Sequence, residues 1–218
     1  RKHDCLLLLD TVTSLGAVPI YLDEWKVDLA YSCSQKGLSC PPGLGPFSMG
    51  PRAEAKMMAR AGKVPNWYLD VTLLNQYWGS DRVYHHTAPV NMNFGMREAL
   101  RLLAEEGLEA AWARHLSNAE LLWAGLEGLG LELHAPAALR LPTLTTVRIP
   151  AGVDGKAFSQ HLLTKHGIEV GGGLGALAGK VWRIGLMGYN SQPENVDLLL
   201  NLFETELPAF RPAVAPAA

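Results

Sequence analysis

Lys36 is the residue whose surroundings best suit chemistry. It ends the segment Ser32-Cys33-Ser34-Gln35-Lys36, where its neighbours are small or hydroxyl-bearing and not charged. Small neighbours leave room for a flat ring beside the amine, and a desolvated amine loses its proton more readily than a solvated one. Both properties favour a Schiff base between Lys36 and an aldehyde cofactor. The alternative is a solvated lysine at the end of a strand.

Asp10 supplies a second group that such a cofactor needs. The apolar segment 5–9 predicts a fully buried strand, and this strand ends at the carboxylate of Asp10. Pyridoxal phosphate needs a carboxylate opposite its pyridine nitrogen, because the protonated ring then withdraws electrons. A strand-end aspartate also often caps the following helix, which is the alternative interpretation of Asp10.

Several motifs follow one another in the order found in a known family. They are Asp10-Thr11-Val12-Thr13-Ser14-Leu15-Gly16, the segment from Tyr31 to Lys36, Pro41-Pro42-Gly43, Tyr84-His85-His86-Thr87, Leu141-Pro142-Thr143, Gly171-Gly172-Gly173-Leu174-Gly175 and Arg183-Ile184-Gly185-Leu186. The series resembles class V, fold-type I aminotransferases, and among them the alanine–glyoxylate (serine–pyruvate) group. It extends over nearly the whole chain up to the last helix. One departure is Cys33, where the family usually has glycine.

The resemblance implies roles around pyridoxal 5'-phosphate. Lys36 would hold the cofactor and transfer the substrate proton, and Asp10 would face the ring nitrogen. Val12 would pack on one face of the ring, and Gln35 would lie near the phosphate. The structural alternatives are a core position for Val12 and a loop hydrogen bond for Gln35.

Three further residues receive roles from the resemblance. Tyr84 and Thr87 would donate hydroxyl hydrogen bonds to the cofactor phosphate of the neighbouring subunit in a homodimer. Arg183 lies inside an apolar strand, where a guanidinium must find an anion. The resemblance favours a two-pronged contact with the substrate α-carboxylate, and the alternative is a structural ion pair.

The implied activity is transamination between alanine or serine and glyoxylate, which gives pyruvate or hydroxypyruvate and glycine. A related class V enzyme such as a cysteine desulfurase is a second hypothesis. Such an enzyme needs a nucleophilic cysteine on a mobile loop, whereas Cys5 lies in the predicted strand and Cys33 and Cys40 flank Lys36. A catalytically silent, truncated fragment is a third hypothesis. The family implies a peroxisomal or mitochondrial location, and no targeting signal is visible in this sequence.

Charge, apolar run length and two further motifs disfavour other classes of function. A net charge of −2 with scattered basic residues disfavours nucleic acid as a partner. No apolar run is long enough to cross a bilayer. Adjacent histidines, His85 and His86, are expected to point to opposite sides of an extended segment, so no metal site is predicted. The glycines from Gly171 to Gly175 resemble a dinucleotide fingerprint, but a strand and not a helix is predicted after them.

The pattern of apolar segments predicts an α/β fold. The resemblance implies that residues 1–107 are the C-terminal part of a large cofactor-binding domain with a mixed sheet and that 108–208 form a small α/β domain. Residues 209–218 are expected to be a disordered tail. The predicted strands are 6–9, 29–32, 45–49, 131–134, 145–149, 168–170 and 181–186, and the predicted helices include 51–60, a pair divided at Gly107, one from Asp154 to Gly167, and 193–207 with Ser191 as its cap. The sequence opens without methionine, so we expect the N-terminal segment to be missing and the chain alone to be inactive and prone to aggregate.

Overall fold

The computed structural model describes residues 3–211, which form an α/β chain with two small sheets. Two long helices separate the sheets along the sequence. The strands are β1 (Leu8–Asp10), β2 (Leu29–Tyr31), β3 (Phe47–Met49), β4 (Leu144–Arg148), β5 (Gly171–Gly172) and β6 (Val181–Gly185). The helices are α1 (Pro51–Met58), α2 (Val71–Trp78), α3 (Val90–Glu106), α4 (Leu108–Gly128), α5 (Gly155–His166) and α6 (Pro193–Glu206). No helix of the described residues is long and apolar enough to cross a membrane.

The first sheet is mixed, as predicted. β1 runs parallel to β2, and β2 pairs antiparallel with β3. β1 is an edge strand of this sheet, and Leu7 and Leu8 are 49% and 54% exposed. The prediction of a fully buried first strand is therefore wrong for this chain, because nothing in residues 3–211 covers its outer face.

Helix boundaries follow the signals in the sequence. Proline occupies the first turn of α1, where a missing amide hydrogen costs little. Gly107 separates α3 from α4 with a φ of +86°, a backbone conformation that suits glycine. Asp154 caps α5 by accepting a hydrogen bond from the Ala157 amide, and Gly167 ends this helix in the left-handed conformation.

The second sheet is antiparallel, in the order β4-β6-β5. Helices α4, α5 and α6 contribute to an apolar core against it. Phe158, Trp182 and Phe203 form edge-to-face ring contacts at its centre. All buried members of this apolar cluster lie between Leu122 and Leu207.

Four local predictions need correction. Residues 131–134 form only an isolated bridge from Leu133 to Val147, and the predicted strand 168–170 is displaced to β5. Ser191 does not cap α6, because Gln192 occupies that position and the Ser191 carbonyl accepts from Asn118. A short 3-10 helix at Leu207–Phe210 includes the start of the predicted disordered tail, and residues 212–218 lie outside the described part. The domain boundary at 107/108 stays a prediction.

Candidate active site

Asp10 is fixed at the end of β1 by two hydrogen bonds. The Tyr31 hydroxyl donates to one carboxylate oxygen at 2.6 Å, and the Val12 amide donates to the other at 2.8 Å. Parallel pairing makes this possible, because Asp10 and Tyr31 are register partners on β1 and β2. The Tyr31 hydroxyl, and to a lesser extent the Val12 amide, hold the pKa of Asp10 below its ordinary value. A carboxylate has about four acceptor positions, so an ionised Asp10 can still accept from a ligand.

Lys36 lies on a turn that hydrogen bonds tie to the segment after Asp10. The Ser32 hydroxyl donates to the Thr11 carbonyl at 2.9 Å, and the Cys33 thiol approaches the Val12 carbonyl at 3.8 Å. The Ser34 side chain is fully buried and donates to the Pro41 carbonyl. The small residues around Lys36 therefore connect it to the strand end that carries Asp10.

A cleft of about 350 Å³ opens beside Lys36. It is lined by Gln35, Lys36, Ser39, Cys40 and Pro41 from the lysine turn and by Met187, Tyr189 and Asn190 from the segment after β6. A cleft of this size falls within the range of small-molecule sites. Gln35 is exposed on its wall, and Val12 is half-buried beside Asp10.

Tyr84 and Thr87 share a hydrogen bond. Their hydroxyl oxygens lie 2.9 Å apart, and the Tyr84 side chain is exposed. Between them, the His85 and His86 Nδ1 atoms are 2.9 Å apart, so the expectation that these two rings point to opposite sides is wrong. Stacking explains this geometry, because the Trp67 ring packs parallel to His85 and holds it inward.

Arg183 is half-buried on β6, and its Nε donates to the Gly172 carbonyl at 2.7 Å. Within residues 3–211, neither of its Nη atoms has a hydrogen bond or an ion pair with a carboxylate. The planar end of the guanidinium is thus available to an anion, an arrangement that favours the ligand-binding interpretation over a structural ion pair. Gly171 is the register partner of Arg183, and glycine keeps that approach open.

The remaining candidate motifs have structural explanations. A side chain at Gly173 would meet the Leu177 carbonyl at 2.0 Å, and a short 3-10 turn and then β6 follow, unlike a dinucleotide fingerprint. Cys5 is exposed and precedes β1, which corrects its predicted burial in a strand. Cys40 is buried, and Cys33 is half-buried.

One group in the described residues has metal-ligand composition. The ligand atoms of His161, His166 and Glu206 lie within 4.8 Å of one another. Lys165 also contacts Glu206, at 3.0 Å, and both carboxylate oxygens already have cationic or imidazole partners. The contacts are accounted for as a cluster of hydrogen bonds and ion pairs that joins α5 to α6.

Sequence reasoning missed several residues that orient Asp10 or line the cleft. Tyr31 orients Asp10, and Ser39 and Tyr189 meet across the cleft through a hydrogen bond from the Tyr189 amide to the Ser39 hydroxyl at 2.7 Å. The pairing of Asp10 with Tyr31 depends on the register of β1 and β2, which the pattern within one strand does not give. No local signal joins Ser39 to Tyr189, because 150 residues separate them.

Comparison with known proteins identifies the family. The Aminotransferase class-V family model matches residues 1–199. Alanine–glyoxylate aminotransferase of Callithrix jacchus is 47% identical over 203 residues, which are 91% of this chain and 49% of that protein. The (S)-ureidoglycine–glyoxylate transaminase of Bacillus subtilis is 36% identical over 95% of this chain and 54% of that protein. The chain spans about half the length of these curated relatives.

Solved structures show the same fold. An alanine–glyoxylate aminotransferase from Nostoc sp. superposes with a TM-score of 0.92 at 63% identity, covering 94% of this chain and 54% of that one. The ureidoglycine–glyoxylate aminotransferase of Bacillus subtilis gives a TM-score of 0.93 at 38% identity, covering 100% of this chain and 56% of that one. A cysteine desulfurase from Thermococcus onnurineus shares only 16% identity, so it shows the fold alone. The chain has the fold of the fold-type I transferases and belongs to the class V aminotransferases, a family of pyridoxal-phosphate-dependent enzymes.

Proposed function

We propose that this chain carries the lysine, aspartate and arginine of an aminotransferase site that moves an amino group from alanine or serine to glyoxylate. The observation that supports this best is the pairing of Asp10 with Tyr31 at the strand end to which the Lys36 turn is tied. That arrangement provides an ionised carboxylate and an amine on adjoining segments.

The residues fit pyridoxal phosphate. Asp10 is kept ionised by its two donors and would hold the proton on the ring nitrogen. Val12 lies two residues after Asp10 and would contact a ring face, and Gln35, Tyr84 and Thr87 would contribute polar contacts to the phosphate. When bound, the cofactor supplies an electron sink for the electron pair left at the substrate Cα.

The chain's own residues then account for binding and proton transfer. The Arg183 fork would hold the substrate α-carboxylate, because a planar guanidinium binds a carboxylate through two parallel hydrogen bonds. The Lys36 amine would act first as a base that removes the proton from the substrate Cα. It would then act as an acid that donates this proton to the cofactor. The Ser34 and Ser32 contacts would keep this amine near the strand end of Asp10.

The amino acceptor, glyoxylate, is better supported than the amino donor. The relatives from Callithrix jacchus and Bacillus subtilis are both named for glyoxylate, but their names differ in the amino donor. We therefore propose glyoxylate as the acceptor and alanine or serine as the donor, in line with the higher identity to the alanine–glyoxylate enzymes. Ureidoglycine is the donor to compare with them.

A homodimer is part of the same proposal. Among the described residues, exposed apolar side chains accumulate around α2 and α3 and include Trp67, Tyr68, Trp78, Tyr84 and Phe94. Surfaces of this kind mark protein interfaces. Tyr84 and Thr87 project from this surface, so a partner subunit's cofactor phosphate is a suitable ligand for their hydroxyls. A peroxisomal location, with mitochondria as the alternative, rests on the family resemblance alone.

The test is transamination by the holoenzyme that contains this chain, with alanine, serine and ureidoglycine as donors to glyoxylate. Lys36→Ala is expected to lower turnover at least about 1000-fold, because the attachment site and the proton-transfer group are both lost. Lys63→Ala, at an exposed position, is the matched control. Asp10→Asn is expected to retain cofactor and lose most of the rate, since a neutral amide cannot keep the ring nitrogen protonated.

The outcome separates the hypotheses. Glycine formation that depends on Lys36 and Asp10 supports the proposal. Release of sulfide or alanine from cysteine, without amino transfer, would support the desulfurase hypothesis instead. Near-normal turnover in Lys36→Ala would refute the mechanism. Residues 1–218 that bind the cofactor by themselves but do not form glycine would support the silent-fragment hypothesis.

A further inference from the structure

The turn at Gly188–Asn190 joins the two parts of the chain beside the Lys36 cleft. On one side, the Tyr189 amide donates to the Ser39 hydroxyl at 2.7 Å. On the other side, the Gly188 amide donates to Nε2 of His115 on α4 at 2.8 Å. The same turn therefore receives one contact from the lysine turn and one from the long helix.

His115 is held in a single tautomer by its partners. A backbone amide can only donate, so Nε2 must be the unprotonated acceptor of the Gly188 hydrogen. Nδ1 lies 2.6 Å from the Ala111 carbonyl, which can only accept, so Nδ1 carries the hydrogen. The ring is 1% exposed, and burial lowers the pKa of His115, which agrees with a neutral imidazole.

Ser39 continues the connection to Lys36. Its amide donates to the Lys36 carbonyl at 2.9 Å, and its φ of +57° is unusual for a residue with a side chain. The contact with Tyr189 holds the Ser39 hydroxyl in place. The path from α4 to Lys36 is thus a series of short hydrogen bonds through Gly188–Tyr189 and Ser39.

We propose that His115 is a positioning residue: by accepting the Gly188 amide hydrogen, it fixes the turn that holds Ser39 and, through Ser39, the backbone of Lys36. This inference rests on the proposed function of Lys36. His115 is buried and is not among the residues proposed to bind the cofactor or the substrate.

Further hydrogen bonds and a close contact hold the Gly188–Asn190 turn in a single conformation. Arg114 donates to the Gly188 and Ser191 carbonyls at 3.0 and 2.8 Å, and Asn118 donates to the Ser191 carbonyl at 2.9 Å. Gly188 has a φ of +60°, and a Cβ there would lie 1.9 Å from the Ser39 hydroxyl oxygen. Only glycine permits this close approach.

The first experiment compares His115→Phe with His115→Gln. Phenylalanine fills the space but cannot accept, whereas a glutamine oxygen can reach the position of Nε2 and restore the acceptor. Leu116→Phe, which adds a ring on the exposed side of the same helix, is the matched control. The readouts are amide hydrogen exchange of residues 186–191 and 36–40 in the apoprotein, and kcat and KM of the holoenzyme per bound cofactor.

We expect His115→Phe to speed exchange in both segments and to lower kcat about tenfold, the size of effect that an unsatisfied buried donor produces. His115→Gln should recover most of both effects. Ser39→Ala breaks the same path from the other end, with Ser48→Ala on β3 as its control, and it should reproduce the exchange pattern if His115→Phe fails to fold.

Two results would overturn the inference. One is unchanged exchange of residues 36–40 in Ser39→Ala and in any folded His115→Phe protein. The other is faster exchange with kcat per cofactor unchanged, which would make His115 structural only. A wild type without aminotransferase activity would refute the proposed function, whereas the exchange measurement on the apoprotein would still decide whether His115 controls the Lys36 turn.

Discussion

The regions on either side of Gly107 differ in how they are stabilised. Of the described residues, those before Gly107 bury mainly small apolar side chains, namely Ala17, Ala30, Leu38, Cys40, Ala53 and Ala99. Those after it bury a continuous cluster that includes Phe158, Trp182 and Phe203. The second region therefore has its own apolar core, and the first has little of one.

Most of the proposed cofactor-binding and catalytic residues lie in the first region, which has the smaller apolar core. Asp10, Lys36 and the Tyr84–Thr87 pair belong to the first region, whereas the second contributes Arg183 and the cleft wall that includes Tyr189. In place of a large core, the first region has polar braces such as the contact of Arg52 with Asp28 at 2.7 Å. The comparison teaches that the candidate residues Asp10 and Lys36 lie in the region with little apolar core, and Arg183 lies in the region that has one.

The largest expected effect on stability is in the second core. Phe158→Ala should reduce the free energy of unfolding by about 3–5 kcal/mol, because it removes a ring from a close-packed cluster. Met58→Ala in the first region should change it by less than about 0.5 kcal/mol, since that side chain is 68% exposed. Denaturant unfolding of residues 1–218 measures both. Equal losses would contradict the contrast between the regions.

Loss of the polar brace should come next. Asp28 is buried and also accepts a hydrogen bond from the Leu7 amide, so Arg52→Met removes the cationic partner of a buried carboxylate and should destabilise the first sheet. Hydrogen exchange is expected to speed up in β1 and α1 and to stay unchanged in β6. Arg60→Met, at an exposed position just after α1, serves as the control. Equal exchange changes in β6 would show that the two regions unfold together.

A smaller effect, on the KM for the amino acid, is expected from a substitution of Arg183 in the assembled enzyme. Arg183→Lys keeps the charge but loses the planar fork, so the KM for the amino acid should rise about tenfold while cofactor absorbance is retained. Arg148→Lys, on the neighbouring strand β4, is the control. An unchanged KM would show that Arg183 is a structural residue and does not bind the substrate carboxylate.

The smallest effect concerns the cluster between α5 and α6. Hydrogen bonds from His161 and then Lys165 lower the pKa of Glu206 from 4.5 to about 2. A lowered carboxyl pKa gives stability that is present above the ordinary value and lost as pH falls through the folded value. The Tm advantage of wild type over Glu206→Gln should therefore be full above about pH 5 and shrink toward about pH 2.

Glu204→Gln, on the exposed side of α6, provides the matched comparison for that titration. Its Tm should follow wild type throughout the acid range. If the difference between wild type and Glu206→Gln persists undiminished at about pH 2, the cluster is not held by the ionised carboxylate.

Local patterns in the sequence determined much of this protein. The mixed first sheet, the division at Gly107, the Asp154 cap and the family were predictable, because short-range patterns and ordered motifs carry that information. The candidate residues Lys36, Asp10 and Arg183 were also identified from their unusual neighbours. Their catalytic and binding roles stay predictions.

Only the tertiary structure decided which groups meet. It placed Tyr31 on Asp10, turned His85 toward His86, and brought Ser39 and His115 to one turn. It also exposed Leu8, although an apolar segment predicted burial. Burial and hydrogen bonding depend on what packs against a segment, and residues far apart in sequence provide those partners. Such contacts leave no local pattern for the sequence to show.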